Sequence, residues 1–418
     1  MEGRWKRDIA IFLSSQTISL FGSSLVQYAI VWHVTLATKS GLMMTLVVLF
    51  GFLPAFFLSP FAGVFADRFD RRLIIVVADA AIALVTLALA LVYRAGTEAI
   101  WLLLLASALR AAGQTFHGPA VGALLPQIVP KASLLRINAL NGSIQSALLL
   151  VSPMIAGALL SLIPLFAIFF IDVVTAGLAI LILLVFLKIP PHEKAALPAT
   201  TGYFEDMRLG YAYIRDHCYL LSLFVYIGLF FFFVSPSAFL TPLQAARTYG
   251  PEVWRLTGIE VAFSAGMMVG GALLAARGGL KNRMATVVVA NLGMAVCAIL
   301  LGLAPPFALY LGIMGLFGVA MPYFNTPFAT MLQEQVEGAF LGRVYSVMTM
   351  LNTSVMPLAM VAFGPLGDVI KIEWLLVGTG GFMLLLGLFS LRSKNLREMG
   401  AEAAVKVPQV APETAGPG

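Results

Sequence analysis

Five ionisable side chains, Asp79, Arg110, His117, Asp172 and Glu260, interrupt stretches that are otherwise apolar enough to cross a bilayer. A cation at mid-bilayer costs about 3 kcal/mol on insertion scales, so Arg110 requires a partner or water. Asp79 and Asp172 each lie about two helical turns inside their stretches. A carboxylate so placed could bind and release a proton as its access to water alternates, while a neighbouring arginine would oppose protonation. Asp172 is the preferred coupling acid and Asp79 the preferred partner in a structural ion pair; the alternative is a structural role for both. His117 could titrate near neutral pH or act as a hydrogen-bonded structural histidine. Glu260, near one end of its stretch, reads equally as an interfacial carboxylate.

Polar residues recur at helical spacing around these groups. Gln16, Ser19, Ser23 and Gln27 share one face, Ser107, Arg110, Gln114 and His117 a second, and Asn138, Asn141 and Gln145 a third. A water-filled cavity leaves such stripes, although hydrogen bonds between helices do so too. Farther along, Leu229-Phe230-Phe231-Phe232-Phe233 follows Tyr226, and Phe317, Tyr323, Phe324 and Phe328 lie in a later span. If these face the same cavity, a polar wall opposes an aromatic one, as a bulky amphiphile requires; the alternative is that they face lipid. The candidate cavity set is therefore Gln16, Ser23, Gln27, Gln114, His117, Tyr226 and Tyr323.

The elements that must position these residues are membrane helices. Of 418 residues, 60% are hydrophobic and 11% charged, with a mean hydropathy of +0.95; soluble domains carry about a quarter charged residues. Spans are expected at about 9–37, 42–66, 73–93, 99–122, 137–161, 164–188, 219–245, 257–278, 284–304, 307–331, 341–366 and 373–391. With the N-terminus inside, one set of loops holds Arg4, Lys6, Arg7, Arg68, Arg71, Arg72, Lys131, Arg136, Lys188, Lys194, Arg208, Arg215, Arg277, Lys281, Arg283, Arg343, Arg392, Lys394, Arg397 and Lys406, while the other holds only Lys39, Arg94, Arg247, Arg255 and Lys371. The positive-inside rule then puts both termini in the cytoplasm.

A more polar stretch, 189–218, divides the chain into an N-terminal bundle over 1–188 and a C-terminal bundle over 219–391, with a tail over 392–418 expected to be disordered. The halves echo each other. Leu125-Pro126-Gln127-Ile128-Val129 through Arg136 aligns without a gap with Leu332-Gln333-Glu334-Gln335-Val336 through Arg343. Paired repeats of this kind mark a transporter architecture. The N-terminal span is too long and polar for a cleavable signal, and the two cysteines form no disulfide framework. Basic residues are scattered among loops, which argues against nucleic acid. No phosphate-binding loop, zinc spacing or nucleophile motif is present, so no enzyme activity, cofactor or metal is expected.

The decapeptide Gly63-Val64-Phe65-Ala66-Asp67-Arg68-Phe69-Asp70-Arg71-Arg72 resembles the loop signature of the major facilitator superfamily, with Asp70 where a second glycine is usual. Gly51-Phe52-Leu53-Pro54, Thr115-Phe116-His117-Gly118-Pro119-Ala120, Phe263-Ser264-Ala265-Gly266-Met267 and Leu341-Gly342-Arg343-Val344 are similar to its drug:proton antiporter branch, typified by bacterial macrolide efflux proteins. The resemblance implies an all-α fold of twelve helices in two six-helix bundles. It implies a monomeric, multi-pass transporter of the bacterial cytoplasmic membrane that exchanges protons for a bulky drug. Siderophore or lipid export, or a transport-dead sensor, are the alternatives. Arg110-x2-Gly113-Gln114 resembles an antiporter motif whose arginine takes part in proton coupling, so the coupling set is Arg110, Asp172 and Asp79. The resemblance also implies that the first, fourth, seventh and tenth spans line the cavity. It further implies a conformational latch built from Gly63, Asp67, Arg68, Arg71, Arg72 and Arg343.

Overall fold

The computed structural model describes residues 4–130, 133–187, 203–280 and 282–392, and all its regular structure among them is helical. The first half contains α1 (Arg4–Thr38), α2 (Gly41–Arg68), α3 (Arg71–Arg94), α4 (Ile100–Ile128), α5 (Leu134–Leu162) and α6 (Leu165–Phe186). A shorter helix, α7 (Tyr203–Asp216), leads into the second half, α8 (Cys218–Phe239), α9 (Thr241–Thr248), α10 (Val253–Arg277), α11 (Arg283–Gly302), α12 (Phe307–Gln335), α13 (Gly338–Val369) and α14 (Ile372–Arg392). The expected linker over 189–202 and nearly all of the expected tail lie outside the described residues.

Eleven stretches among the described residues are long and apolar enough to cross a membrane, α8 and α9 together forming one of them. The twelfth crossing is α4. It has the length, 29 residues, and packs between α2 and α3, but Arg110, Gln114 and His117 lower its hydropathy. The span expected over 219–245 is broken at Leu240, where Thr241-Pro242 starts α9; proline cannot donate the N–H that would continue the preceding helix. Several helices outrun their expected ends, α4 reaching Ile128 and α12 Gln335. Hydropathy marks only the oily middle of a helix, whereas its hydrogen bonds continue into the polar ends.

The packing of one half recurs in the other. The pairs α1·α5, α1·α6, α2·α4, α3·α4 and α3·α6 find counterparts in α8·α13, α8·α14, α10·α12, α11·α12 and α11·α14. Between the halves the principal contacts are α2 with α13 and α5 with α10, and each of these pairs maps onto the other when the halves are exchanged. Two hydrophobic clusters fill the first half, around Trp32 and around Phe12, and a larger one around Phe230, Tyr310 and Phe324 fills the second.

Close approach fixes the tightest of these pairs. A Cβ at Gly266 of α10 would lie 2.0 Å from the Gly315 carbonyl oxygen of α12, and one at Gly318 would lie 2.1 Å from that of Phe263. Without a hydrophobic drive between helices in lipid, such backbone contact is what holds them. Gly266→Leu should lower the melting temperature of the purified protein sharply, since overpacking costs about 1–3 kcal/mol even in softer surroundings. Gly271→Ala, which enters open space, should not; equal melting of the two variants would refute the contact's role.

Candidate functional site

A chamber of about 1410 Å³ lies between the halves. On the first half it is walled by α1 (Ser23, Gln27, Tyr28, Trp32), α2 (Gly51, Phe52, Phe56, Phe57) and α4 (Ser107, Arg110, Gln114). On the second it is walled chiefly by α13, through Tyr345, Ser346, Thr349 and Thr353, with Phe239 of α8 and Glu260 of α10. Its apolar and aromatic surface is broken by a few convergent polar groups, the composition of a site for a large, partly hydrophobic molecule.

Arg110 stands in the chamber wall with its charge answered from behind. Its Nη1 donates to Asp172 Oδ2 at 2.5 Å, and the two side chains are 5% and 0% exposed. Thr86 Oγ1 also contacts Nη1 and donates to Asp172 Oδ2 at 3.0 Å. Ser23 Oγ donates to Asp172 Oδ1 at 3.2 Å, and Arg110 Nη2 donates to the Ser23 carbonyl at 3.1 Å. Four helices, α1, α3, α4 and α6, thus meet on one ion pair. Gly22 permits it, because a Cβ there would lie 2.0 Å from Thr175 Oγ1 and 3.0 Å from Asp172 Oδ1.

Asp79 forms a separate cluster behind the wall. Its Oδ1 accepts from Ser19 Oγ at 2.9 Å and lies 3.4 Å from His117 Nε2, a contact that becomes an ion pair when the ring is protonated. Among the described residues, Asp79 Oδ2 and both amide atoms of the buried Gln16 have no hydrogen-bond partner.

Of the expected cavity residues, Ser23, Gln27 and Gln114 line the chamber, beside Arg110. Gln16 and His117 are on the stripes that sequence periodicity assigns them, but each is 2% exposed and sits behind the wall. The expected aromatic wall is corrected. Tyr226 and Tyr323 belong to the packing of the second half's own core, Tyr226 facing Phe324 and Phe230 stacking on Phe324 at 3.8 Å. The tenth span, α12, lines none of the chamber, and α13 takes its place. Periodicity reports that residues share a face and is silent on which neighbour the face meets. The missed signal was the run Ser346, Thr349 and Thr353 at helical spacing on α13.

In the loop decapeptide, the side chains of Asp67 and Arg68 and the surroundings of Gly63 lie outside what the structure describes. Asp70, the departure from the usual glycine, caps α3 by accepting from the N–H groups of Arg72 and Leu73. Arg71 donates to the Ala123 carbonyl of α4, and Arg72 to those of Leu183 and Leu184 of α6. These arginines therefore brace the first half. Arg343 lies over the Phe340 ring, and its carbonyl abuts Gly210 of α7.

The halves are bolted together at the opposite end of α2. Asp368, near the end of α13, accepts from the N–H groups of Gly41 (2.7 Å) and Leu42 (2.9 Å) and from Ser40 Oγ (2.8 Å). It thus docks on the positive end of the α2 dipole. Arg247 of α9 closes the bolt, donating to Asp368 Oδ1 at 2.6 Å and to the carbonyls of Lys39 and Gly367. Just inside, a Cβ at Gly41 would lie 2.1 Å from the Gly364 carbonyl oxygen, and Thr45 Oγ1 donates to the Met360 carbonyl at 2.9 Å. The α5·α10 contact seals the same end, with Gly157 against Thr257. At the other end Asn138 and Gln145 of α5 are exposed, and the chamber runs out to Ser59 and Gly342. Among the described residues it is closed at one mouth and open at the other.

A profile of the Major Facilitator Superfamily matches residues 9–360. The chain belongs to that superfamily. Within it, the chain is 28% identical over 379 residues to "Macrolide efflux protein A" of Streptococcus pyogenes, covering 90% of this chain and 93% of that protein. It is 30% identical over 314 residues to a protein of the same name from Enterococcus faecalis, covering 75% and 96%. A solved bacterial homologue of the iron transporter ferroportin, in an inward-facing state, superposes with a TM-score of 0.70 at 16% identity, over 92% of this chain and 98% of that one. The protein is a multi-pass major facilitator transporter, not an enzyme, and it carries small-molecule substrates.

Proposed function

We propose that this transporter exports bulky amphiphilic drugs, macrolides among them, from the bacterial cytoplasm in exchange for protons. The observation that carries the reading is the large chamber between the halves, mixed polar and aromatic, with one mouth closed and a buried ion pair in its wall. The names borne by these two relatives support the substrate class. The basic bias of one set of loops supports cytoplasmic termini. The bolted mouth is then the outer one, and the structure is the state that loads from the cytoplasm.

Coupling follows from the wall. While Asp172 is ionised it holds Arg110 against Thr86 and Ser23. A proton arriving on Asp172 removes the counter-charge, and the guanidinium turns to the water of the chamber. The buried Asp79–His117 contact supplies a second place for a proton to rest on the same side of the wall. The two bundles then rock about the chamber, breaking the Asp368 bolt and bringing the decapeptide toward α13.

The test is uptake of a labelled macrolide by inverted membrane vesicles, with and without an imposed pH gradient, acid inside. Uptake should follow the gradient and collapse when an ionophore dissipates it. Gradient-independent uptake would remove proton exchange from the reading. Absence of macrolide uptake alongside secretion of a siderophore or lipid would replace the substrate.

A further inference from the structure

The layer that holds Asp172 has an echo two helical turns away. Ser23, Thr86, Arg110 and Asp172 meet across α1, α3, α4 and α6. Seven residues toward the open mouth along each of these helices, about two turns, stand Gln16, Asp79, His117 and Ala179. These helices meet again at that level. Ser19 Oγ donates to Asp79 Oδ1 at 2.9 Å, His117 Nε2 lies 3.4 Å from the same oxygen, and Ser15 Oγ donates to the Ala179 carbonyl at 3.2 Å. Gln16, Asp79 and His117 are all buried. The fold itself does not demand such layers: α8, α11, α12 and α14 repeat the packing of α1, α3, α4 and α6, yet they carry charged residues only at their ends.

The two layers differ in their cation. Arg110 cannot give up its proton, so Asp172 has a permanent counter-ion. Among the described residues the cation within reach of Asp79 is His117, which is charged only while protonated. The other charged groups on the surrounding helices are farther off. Arg110 and Asp172 lie two turns toward the closed mouth, and Arg71 and Arg72, which donate to carbonyls of α4 and α6, lie about two turns the other way. Asp67 and Arg68 of α2 and Arg136 of α5 stand at the open-mouth ends of their helices. A buried carboxylate without a counter-charge is too costly to persist, so Asp79 and His117 together must hold one proton. With none they are an uncompensated anion, and with two an uncompensated cation.

Two hydroxyls join the layers. Ser23 touches Asp172 and Ser19 touches Asp79, and they stand one turn apart on α1, about 5–6 Å between Cβ atoms, a gap that one bridging water spans. Gln114, on the stripe of His117, opens on the chamber.

We infer that the Asp79–His117 layer is the exit station of the exchanged proton: it keeps one proton in store, and a proton leaving Asp172 reaches the open mouth by displacing the stored one. This rests on the reading that export exchanges protons. In the step, the O–H bond of protonated Asp172 breaks, the Ser23 and Ser19 hydroxyls each accept a proton and pass on their own, and a proton arrives on Asp79. His117 releases its proton to water at the open mouth. Asp172 is again a carboxylate paired with Arg110, and the layer is back to one proton.

The test compares two activities of the full-length protein in inverted vesicles: gradient-driven uptake of labelled erythromycin, and exchange of labelled for unlabelled erythromycin without a gradient. Exchange needs the chamber and the rocking of the halves but no proton release. His117→Gln leaves Asp79 able to keep the stored proton and removes the group that releases it. It should slow gradient-driven uptake by about a hundredfold or more, the loss seen when a positioned proton-transfer group is removed, and leave exchange unchanged. Asp79→Asn combined with His117→Gln, an uncharged pair of similar shape, should do the same, and it covers the case in which the single variant folds poorly. Ser15→Ala, in the same layer but off the route, should alter neither activity. Wild-type uptake in both station variants, or loss of uptake and exchange together in the folded double variant, would overturn the station. A further readout needs no substrate. At neutral pH the infrared spectrum of His117→Gln should show the C=O stretch of a protonated buried carboxylic acid that the double variant lacks, and absence of that band would overturn the stored proton. The two claims are separable: gradient-driven uptake in the wild type with unaltered variants sinks the station alone, and the band without any gradient-driven uptake in the wild type sinks the export reading while the stored proton stands.

Discussion

Asp172→Asn should abolish gradient-driven transport and sharply reduce the folded protein in the membrane. The substitution keeps the side chain's shape and removes its charge, leaving Arg110 buried at 5% exposure with only neutral oxygens from Thr86 and Ser23 around it. Removing one member of a buried ion pair costs about 3–5 kcal/mol, most of it from the uncompensated charge that remains. Arg110→Ala should fail in the same way from the other side, leaving the carboxylate of Asp172 at 0% exposure without its cation. The informative variant is the double one, Arg110→Leu with Asp172→Leu. Apolar replacement of both partners is often neutral or stabilising, so its melting temperature should return toward that of the wild type while transport stays absent. A double variant that transports as well as the wild type would reduce the pair to packing.

Asp368→Ala should unbolt the closed mouth. One carboxylate receives two backbone N–H groups, a serine hydroxyl and an arginine, and the alanine receives none. Bonds to a charged group contribute about 1.5–3 kcal/mol each when buried. At 29% side-chain exposure for Asp368 water replaces part of that, so a shift of about tenfold in the balance of the two conformations is expected. Spin labels at Leu162, 80% exposed on α5, and Leu303, 66% exposed beyond α11, would report it, in a background where Cys218 and Cys297 are replaced. The variant should populate longer label separations and transport more slowly, because the state that loads from the open mouth is depleted. An unchanged distance distribution would show that the glycine contacts at Gly41 and Gly157 close the mouth unaided. Asp368→Asn retains one acceptor oxygen and should fall between the two.

How much of this could be read beforehand differs residue by residue. The helices were legible because lipid permits few alternatives: with no water to satisfy the backbone, an apolar stretch of that length must be helical. Arg110 and Asp172 were legible as a problem, two charges in oil, without it being evident that each is the other's solution. They are 62 residues apart in the chain, and an ion pair leaves no local pattern. The stripe on α1 foretold the place of Ser23 and Gln27 in the chamber, since a straight helix keeps its face. It failed for Gln16, at the end where α1 is enclosed by its neighbours. Tyr226 and Tyr323 misled for a related reason. Aromatic residues satisfy a core, a cavity and a lipid boundary alike, and only the packing of α8 on α13 and α14, and of α12 on α10 and α11, chooses among these.

The sequence by itself determined the class: a membrane protein of repeated halves, with a superfamily loop signature and a few ionisable groups that lipid would not tolerate singly. Composition, span length and charge bias are properties of the chain's own chemistry and need no partner to express them. The tertiary structure alone decided which acid neutralises Arg110, that α13 rather than α12 walls the chamber, and that Asp368 bolts one mouth. Those are matters of proximity between segments far apart in the chain, and in lipid proximity is set by where small residues let backbones touch.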